Sequence, residues 1–202
     1  MKKLRVAAIA LLAATFGGAH AGMIGIGGFS GGETVTTFDA LGLPFNNAAP
    51  LVFDGNTYTT DDGTIRYTEP NSFEADCNGE CIGSNTDLGY IDVVLGAVYH
   101  RVGARVGGST TTYGGIVDFF GIGDVLLGSI NYGNNAGMVF TGWEDFGGIT
   151  RVRFHDTAAN GRIVHLDALR FERAQAVPLP SRLALLGLRL VALGVRRRQR
   201  RA

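Results

Sequence analysis

Between residues 22 and 176, apolar and polar side chains alternate in short runs and show no long segment of helical period. In 98–106, Val98, His100, Val102, Ala104 and Val106 share a parity opposite Arg101 and Arg105. In 149–154, Thr150, Val152 and Phe154 oppose Ile149, Arg151 and Arg153. Period two with one polar face is the pattern of antiparallel strands packed on a core. Runs at 33–39, 56–60, 64–68, 90–95, 98–106, 115–119, 124–130, 137–141, 149–154 and 163–171 predict about ten strands. Asp54-Gly55-Asn56, Asp62-Gly63 and Asn160-Gly161 supply the positive φ of tight hairpins. Strands at this spacing predict two stacked antiparallel sheets, a jelly roll or related β-sandwich, over 33–173. Residues 22–32 are glycine-rich and predict a flexible lead-in, and no internal repeat of fixed period occurs.

Charge divides the chain into three parts. The formal net charge is zero, with 18 Lys+Arg and 18 Asp+Glu in 202 residues. Ten of the basic residues lie before Gly22 or after Ala176, and every acid lies between them, so the body is an anion of net charge −10 with no lysine. Nucleic-acid binding needs clustered Lys and Arg for phosphate contacts, which this body lacks. The 46% hydrophobic content excludes a disordered chain, and the 31 glycines show no collagen period.

The two ends carry addresses. Lys2, Lys3 and Arg5 precede the apolar run 6–16, and small residues end in Ala19-His20-Ala21. This is a secretory signal peptide over 1–21, with cleavage by signal peptidase expected between Ala21 and Gly22. The run is shorter than the ~20 residues of a membrane span; the alternative is an uncleaved anchor. At the other end, after a short linker from residue 174, come Val177-Pro178-Leu179-Pro180, an apolar segment at 182–195, and Arg196, Arg197, Arg198, Arg200 and Arg201. The arginine block stays cytoplasmic and leaves the body outside, the orientation the signal peptide also demands.

The order proline motif, "LALLGL" segment, terminal arginine block resembles the PEP-CTERM sorting signal of Gram-negative bacteria. The resemblance covers 177–202. It implies recognition by an exosortase-like sorting enzyme, a C-terminal helix transiently anchored in the inner membrane, then release to the cell surface or beyond, with a link to extracellular polysaccharide and biofilm. Leu179 stands where that family usually has Glu, and Arg189 interrupts the apolar segment. Arg182, Arg189 and Arg196 recur every seven residues, so a basic amphipathic helix on an anionic membrane surface is the alternative.

The body is similar to the jelly-roll domains that often accompany this signal. The matching stretches are 34–41 ("TVTTFDAL"), 124–143 ("DVLLGSI…MVFTGW") and 149–171, ending "HLDALRF". The resemblance implies a galactose-binding-like sandwich, many of which bind glycans and carry one structural Ca²⁺. Asp39 and Asp167 lie in the matching stretches and are the implied calcium ligands; Ca²⁺ takes six to eight oxygens, so loop carbonyls must complete the shell.

Other motifs are weaker. Cys77 and Cys81 frame Asn78-Gly79-Glu80, and in an exported protein an even cysteine count predicts a local disulfide, contributing about 2 kcal/mol by loop entropy. A zinc site would need further Cys or His ligands nearby, which the spacing lacks. Gly28-Phe29-Ser30-Gly31-Gly32 matches G-x-S-x-G, but a nucleophile elbow needs a strand before the serine and a helix after it. His100, His155 and His165 have no metal spacing. Glu144 and Asp145 are adjacent, which suits a turn better than a glycosidase pair. Trp143, Tyr58, Tyr67, Tyr99, Tyr113 and Tyr132 are candidate sugar platforms, and the sequence does not single out one of them. The expectation is an exported, non-enzymatic surface or matrix protein with an adhesive or structural role. The alternatives are a calcium-supported carbohydrate-binding lectin and, behind it, a secreted hydrolase.

Overall fold

The computed structural model describes residues 21–39, 41–42, 46–68, 77, 79–86, 89–108, 114–133, 137–157 and 164–174. Most of the signal peptide, Tyr113, the turn at 160–161 and the whole sorting motif from Val177 to the arginine block lie outside them. Twelve strands form one antiparallel sheet among the described residues: β1 (Gly22–Met23), β2 (Thr34–Thr36), β3 (Asn46–Ala48), β4 (Leu51–Phe53), β5 (Asn56–Thr60), β6 (Thr64–Thr68), β7 (Cys81–Gly83), β8 (Tyr90–Gly108), β9 (Gly115–Gly121), β10 (Leu126–Asn131), β11 (Val139–Asp156) and β12 (Val164–Glu172). No described helix is long and apolar enough to cross a membrane.

The long strands β8 and β11 turn this sheet into a sandwich. Their first contacts run from His155↔Tyr90 to Arg151↔Val94 and their last from Glu144↔Arg101 to Val139↔Val106. Between these stretches β8 carries extra residues at 95–98 and β11 at 145–148. Such bulges bend a strand and shift its facing. The inward parity accordingly switches: Ile91, Val93 and Leu95 are buried before the bend, and Val102, Ala104 and Val106 after it. One half of the sheet is β4-β5-β8-β11-β9-β10; the other is β1-β11-β8-β12-β7-β6-β3, with β2 also on β12. Both inner faces contribute to one core, which includes Phe38, Tyr58, Ile65, Val117, Phe119, Val152, Phe154, Leu166 and Leu169.

The two faces meet through aromatic rings. Phe38, after β2, sets its ring edge-on to Tyr58 of β5 at 5.8 Å. Trp143 of β11 stacks on Phe119 of β9 at 5.7 Å, and its indole fills the space beside Gly128 of β10. A Cβ at 128 would lie 2.2 Å from Trp143 Cη2, so Gly128→Ala should lower stability by about 1–3 kcal/mol. Urea unfolding measures this; an unchanged midpoint would contradict the packing.

The predicted Asp54-Gly55 turn closes the β4–β5 hairpin. Both residues have positive φ, 48° and 76°, and Phe53 pairs with Asn56 across them, the two-residue geometry that suits the right-handed strand twist. The glycine-rich lead-in corrects the expectation of a free segment. Gly22 and Met23 pair with Glu144 and Trp143, Ile24 N–H donates to the Gly142 carbonyl at 2.8 Å, and Phe29 sits edge-on to Phe140. Apolar Ile24 and Phe29 give this segment side chains that its glycine content conceals.

Candidate functional site

The sequence-nominated aromatics separate cleanly by burial. Tyr58, Tyr67 and Tyr132 lie in the core, and Trp143 packs against it on Phe119. None of these four lines the described cleft; Tyr99 does. It sits at the bend of β8, where the parity switch carries it to the rim of the sandwich. Its ring meets Phe171 of β12 at 4.7 Å between centroids, and the Arg173 guanidinium lies over it at 5.6 Å. Gly32, Thr34, Tyr99, Phe171, Glu172, Arg173 and Ala174 enclose a cleft of about 410 Å³. The antiparallel pairing Phe171↔Thr34 brings the start of β2 beside the end of β12, and Phe171↔Val102 holds both against β8.

The floor of the cleft is electrostatically fixed. Glu172 is 3% exposed. It accepts the Ser30 N–H at 3.2 Å, the Ser30 hydroxyl, and Arg101 Nη1 at 3.3 Å. Burial pushes its carboxyl up, but the Ser30 donors and Arg101 outweigh burial and hold it below the usual range. Arg101 also binds Glu144 at 2.8 Å. Arg173 is exposed and forms no salt bridge among the described residues. The cleft therefore offers an aromatic face, a hydroxyl, backbone groups and one outward cation above a satisfied carboxylate. That is the chemistry of a site that stacks a ring and hydrogen-bonds its rim.

A second polar-aromatic surface lies on the outer face of the other half-sheet. Arg151 donates to both Asp92 oxygens at 2.9 and 3.1 Å, and Arg153 to one of them at 2.6 Å. The same arginines cover Phe120 and Tyr90, at 3.6 and 4.5 Å from the ring centroids. His155 Nε2 lies 3.0 Å from Asp118. Asp92 holds both arginines on these rings, so this network braces β8, β9 and β11.

The remaining nominated residues find structural places. Ser30 follows the short 3₁₀ turn Ile26–Gly28 and gives its hydroxyl to the Glu172 carboxylate; the strand–serine–helix order of a nucleophile elbow is absent. Glu144 lies within β11 on Arg101, and Asp145 accepts the Gly147 and Gly148 N–H groups in the bulge. His100 stacks beneath the exposed Phe146 ring at 5.8 Å. Cys77 and Cys81 are joined, with Cα atoms 6.0 Å apart. Asp39 Oδ1 accepts the Glu80 N–H of that disulfide loop at 2.8 Å, and Asp167 faces Arg105 at 3.8 Å. Each implied calcium ligand thus has a protein partner, and the described residues contain no group of three or more His, Cys, Asp or Glu able to hold a metal. Thr34, Phe171, Glu172 and Arg173 were not legible as site residues. The matching stretches 34–41 and 149–171 reached Thr34 and Phe171 without marking them as a site.

No family model matches the chain, and no curated protein matches it. Among solved structures, the chain is similar to the carbohydrate-binding module TmCBM61, solved with β-1,4-galactotriose, at 16% identity and TM-score 0.42 over 61% of this chain and 91% of that one. It is similar to the family 29 module CBM29_1 of Piromyces equi at 14% identity and TM-score 0.41, over 69% and 90%. A family 11 module of a Clostridium thermocellum cellulosomal cellulase follows at 10% identity and TM-score 0.36, over 71% and 95%. No residue role passes from these modules to this chain.

Proposed function

We propose that this protein is an exported, non-catalytic β-sandwich that contacts carbohydrate at the rim cleft built on Tyr99. The observation that carries the reading is the selection of Tyr99: among the nominated aromatics within the described residues it lines the cleft, with Phe171 against its ring and the Arg173 guanidinium over it. A sugar ring stacks on an aromatic face and satisfies its hydroxyls at the edge, and the cleft supplies both. Export rests on the signal peptide 1–21, and delivery on an exosortase-like enzyme reading 177–202. The partner is then extracellular polysaccharide, and the role is adhesive or structural in a matrix. Ser30 has a carboxylate where a hydrolase would have a histidine base, which favours binding over turnover.

Titration calorimetry of the exported protein against a panel of neutral and acidic oligosaccharides tests this. Tyr99→Ala should weaken the best ligand on the order of tenfold, since aromatic stacking contributes ~0.5–1.5 kcal/mol beyond area burial. Arg153→Ala, on the other face, should leave affinity unchanged. Equal loss in both variants, or undiminished binding by Tyr99→Ala, would remove the cleft from the proposal.

A further inference from the structure

The N-terminal segment of the body lies against a charge cluster that is one cation short. Glu144 of β11 and Glu172 of β12 share one guanidinium, Arg101 of β8, at 2.8 and 3.3 Å. The lead-in reaches this cluster at two points. Ser30 donates its N–H and hydroxyl to Glu172, and Gly22 pairs directly with Glu144. Because Ile24 N–H donates to the Gly142 carbonyl at 2.8 Å, antiparallel alternation turns the Gly22 nitrogen toward the Glu144 backbone two residues on. Facing Cα atoms in such a pair lie ~4.5–5.5 Å apart.

The sequence adds a second, independent fact. The chain's only lysines are Lys2 and Lys3, both upstream of Ala21. A chain cleaved between Ala21 and Gly22 therefore has a single primary amine, and it sits at Gly22. Asp145, the next acid along β11, is turned into its own bulge by the Gly147 and Gly148 N–H groups.

We propose that the α-ammonium created at Gly22 by signal-peptide removal is the missing cation: it caps β1 on Glu144, balances the Glu144–Arg101–Glu172 cluster, and so couples export processing to the final locking of the sandwich. An uncleaved chain carries a neutral peptide N–H at the same place and lacks this lock. The inference rests on the export reading and on cleavage at Ala21. An α-ammonium beside an anionic cluster gains a raised pKa, so its contribution is complete below the ordinary value of ~8 and is lost as pH climbs through the folded value.

The absence of other amines makes the test selective. The full chain is expressed in a secreting Gram-negative host, the exported protein is purified, and its N-terminus is read by intact mass. Acetylation with an amine-specific reagent then modifies Gly22 alone. The acetylated protein should melt about 2–4 °C below the untreated one at low ionic strength, the gap should close in Glu144→Gln, and it should shrink in 1 M salt. The rate of acetylation against pH should report an amine pKa above ~8, a readout that needs no variant. A mature N-terminus elsewhere overturns the cleavage reading and this inference together. Coincident melting of the two forms from a protein that does begin at Gly22, or an amine with an ordinary pKa, overturns the inference alone.

Discussion

Replacing Asp92 with alanine should destabilise the sandwich by about 3 kcal/mol, a Tm drop of roughly 6–12 °C for a chain of this size. Asp92 is 8% exposed near the start of β8 and receives three hydrogen bonds from Arg151 and Arg153. Its removal leaves two guanidiniums packed on rings with their shared acceptor gone. Breaking a buried pair from one side is costly because the surviving charge stays desolvated. The estimate stays at the low end of that range for two reasons: the Arg153 side chain is 36% exposed, and Arg151 keeps Asp124 at 2.9 Å. Asp92→Asn keeps the shape and loses the charge, so it should fall between wild type and alanine. Thermal unfolding followed by near-UV circular dichroism reads all three proteins. An Asp92→Ala variant melting within about 1 °C of wild type would show that the network is decorative. The glycan binding proposed for the Tyr99 cleft should be unaffected below the melting range, because that cleft draws on neither arginine.

The face that Asp92 occupies was half legible. Alternation in 149–154 put Arg151 and Arg153 together and opposite Val152 and Phe154, and the structure places Val152 and Phe154 in the core. Ile149 broke the pattern: it shares the arginines' parity yet is fully buried, because the register shifts between Ile149 and Arg151. The same bend explains why 90–95 and 98–106 read as two strands. A bulge reverses parity just as a turn between separate strands does, so the one-dimensional pattern cannot distinguish them. Hydrogen bonding across the bend makes Tyr90–Gly108 continuous. Asn46–Ala48, Leu51–Phe53 and Cys81–Gly83 escaped notice because three residues are too few to show alternation. These strands exist by virtue of their partners.

The cleft was less legible than the fold. Tyr99 stood in the sequence as one aromatic among several, and the residues that make it special come from the starts and ends of distant strands. Thr34 reaches it through β2 and β12 pairing. Glu172 reaches it through Arg101 and Ser30. No local spacing encodes that convergence, which is set by how the bend in β8 and β11 folds the sheet over. Gly22–Gly32 misled for a related reason: composition argued for a flexible tether, while two apolar side chains and one serine hydroxyl were enough to fasten it.

His165 should make the protein acid-labile, and His165→Leu should remove that lability. The ring sits on β12 with no exposed surface, and neither nitrogen has a hydrogen-bond partner. Gly83 of β7 pairs with His165 on one side and with Arg66 of β6 on the other, so only a glycine separates the imidazole from that guanidinium. Asp167 and Arg105 lie one step further along the same face as an ion pair. Burial first, and Arg66 second, push the imidazole pKa down from 6.5 to about 3. The folded protein therefore keeps His165 neutral while the unfolded chain takes up a proton below pH ~6.5, so stability falls as pH falls from ~6.5 toward ~3. This one group removes about 2 kcal/mol by pH 5 and about 3 kcal/mol by pH 4 relative to neutral pH. The pH 5 figure barely depends on where the folded value lies, provided it stays well below 5. At pH 7 the leucine variant should be at least as stable as wild type, since it removes two buried polar atoms that lack partners. Its advantage should then grow by those amounts as the solution is acidified. Urea unfolding of the pair at pH 7, 5 and 4 isolates the difference; a stability gap that stays constant with pH would mean that His165 reaches water or an acceptor in the folded chain.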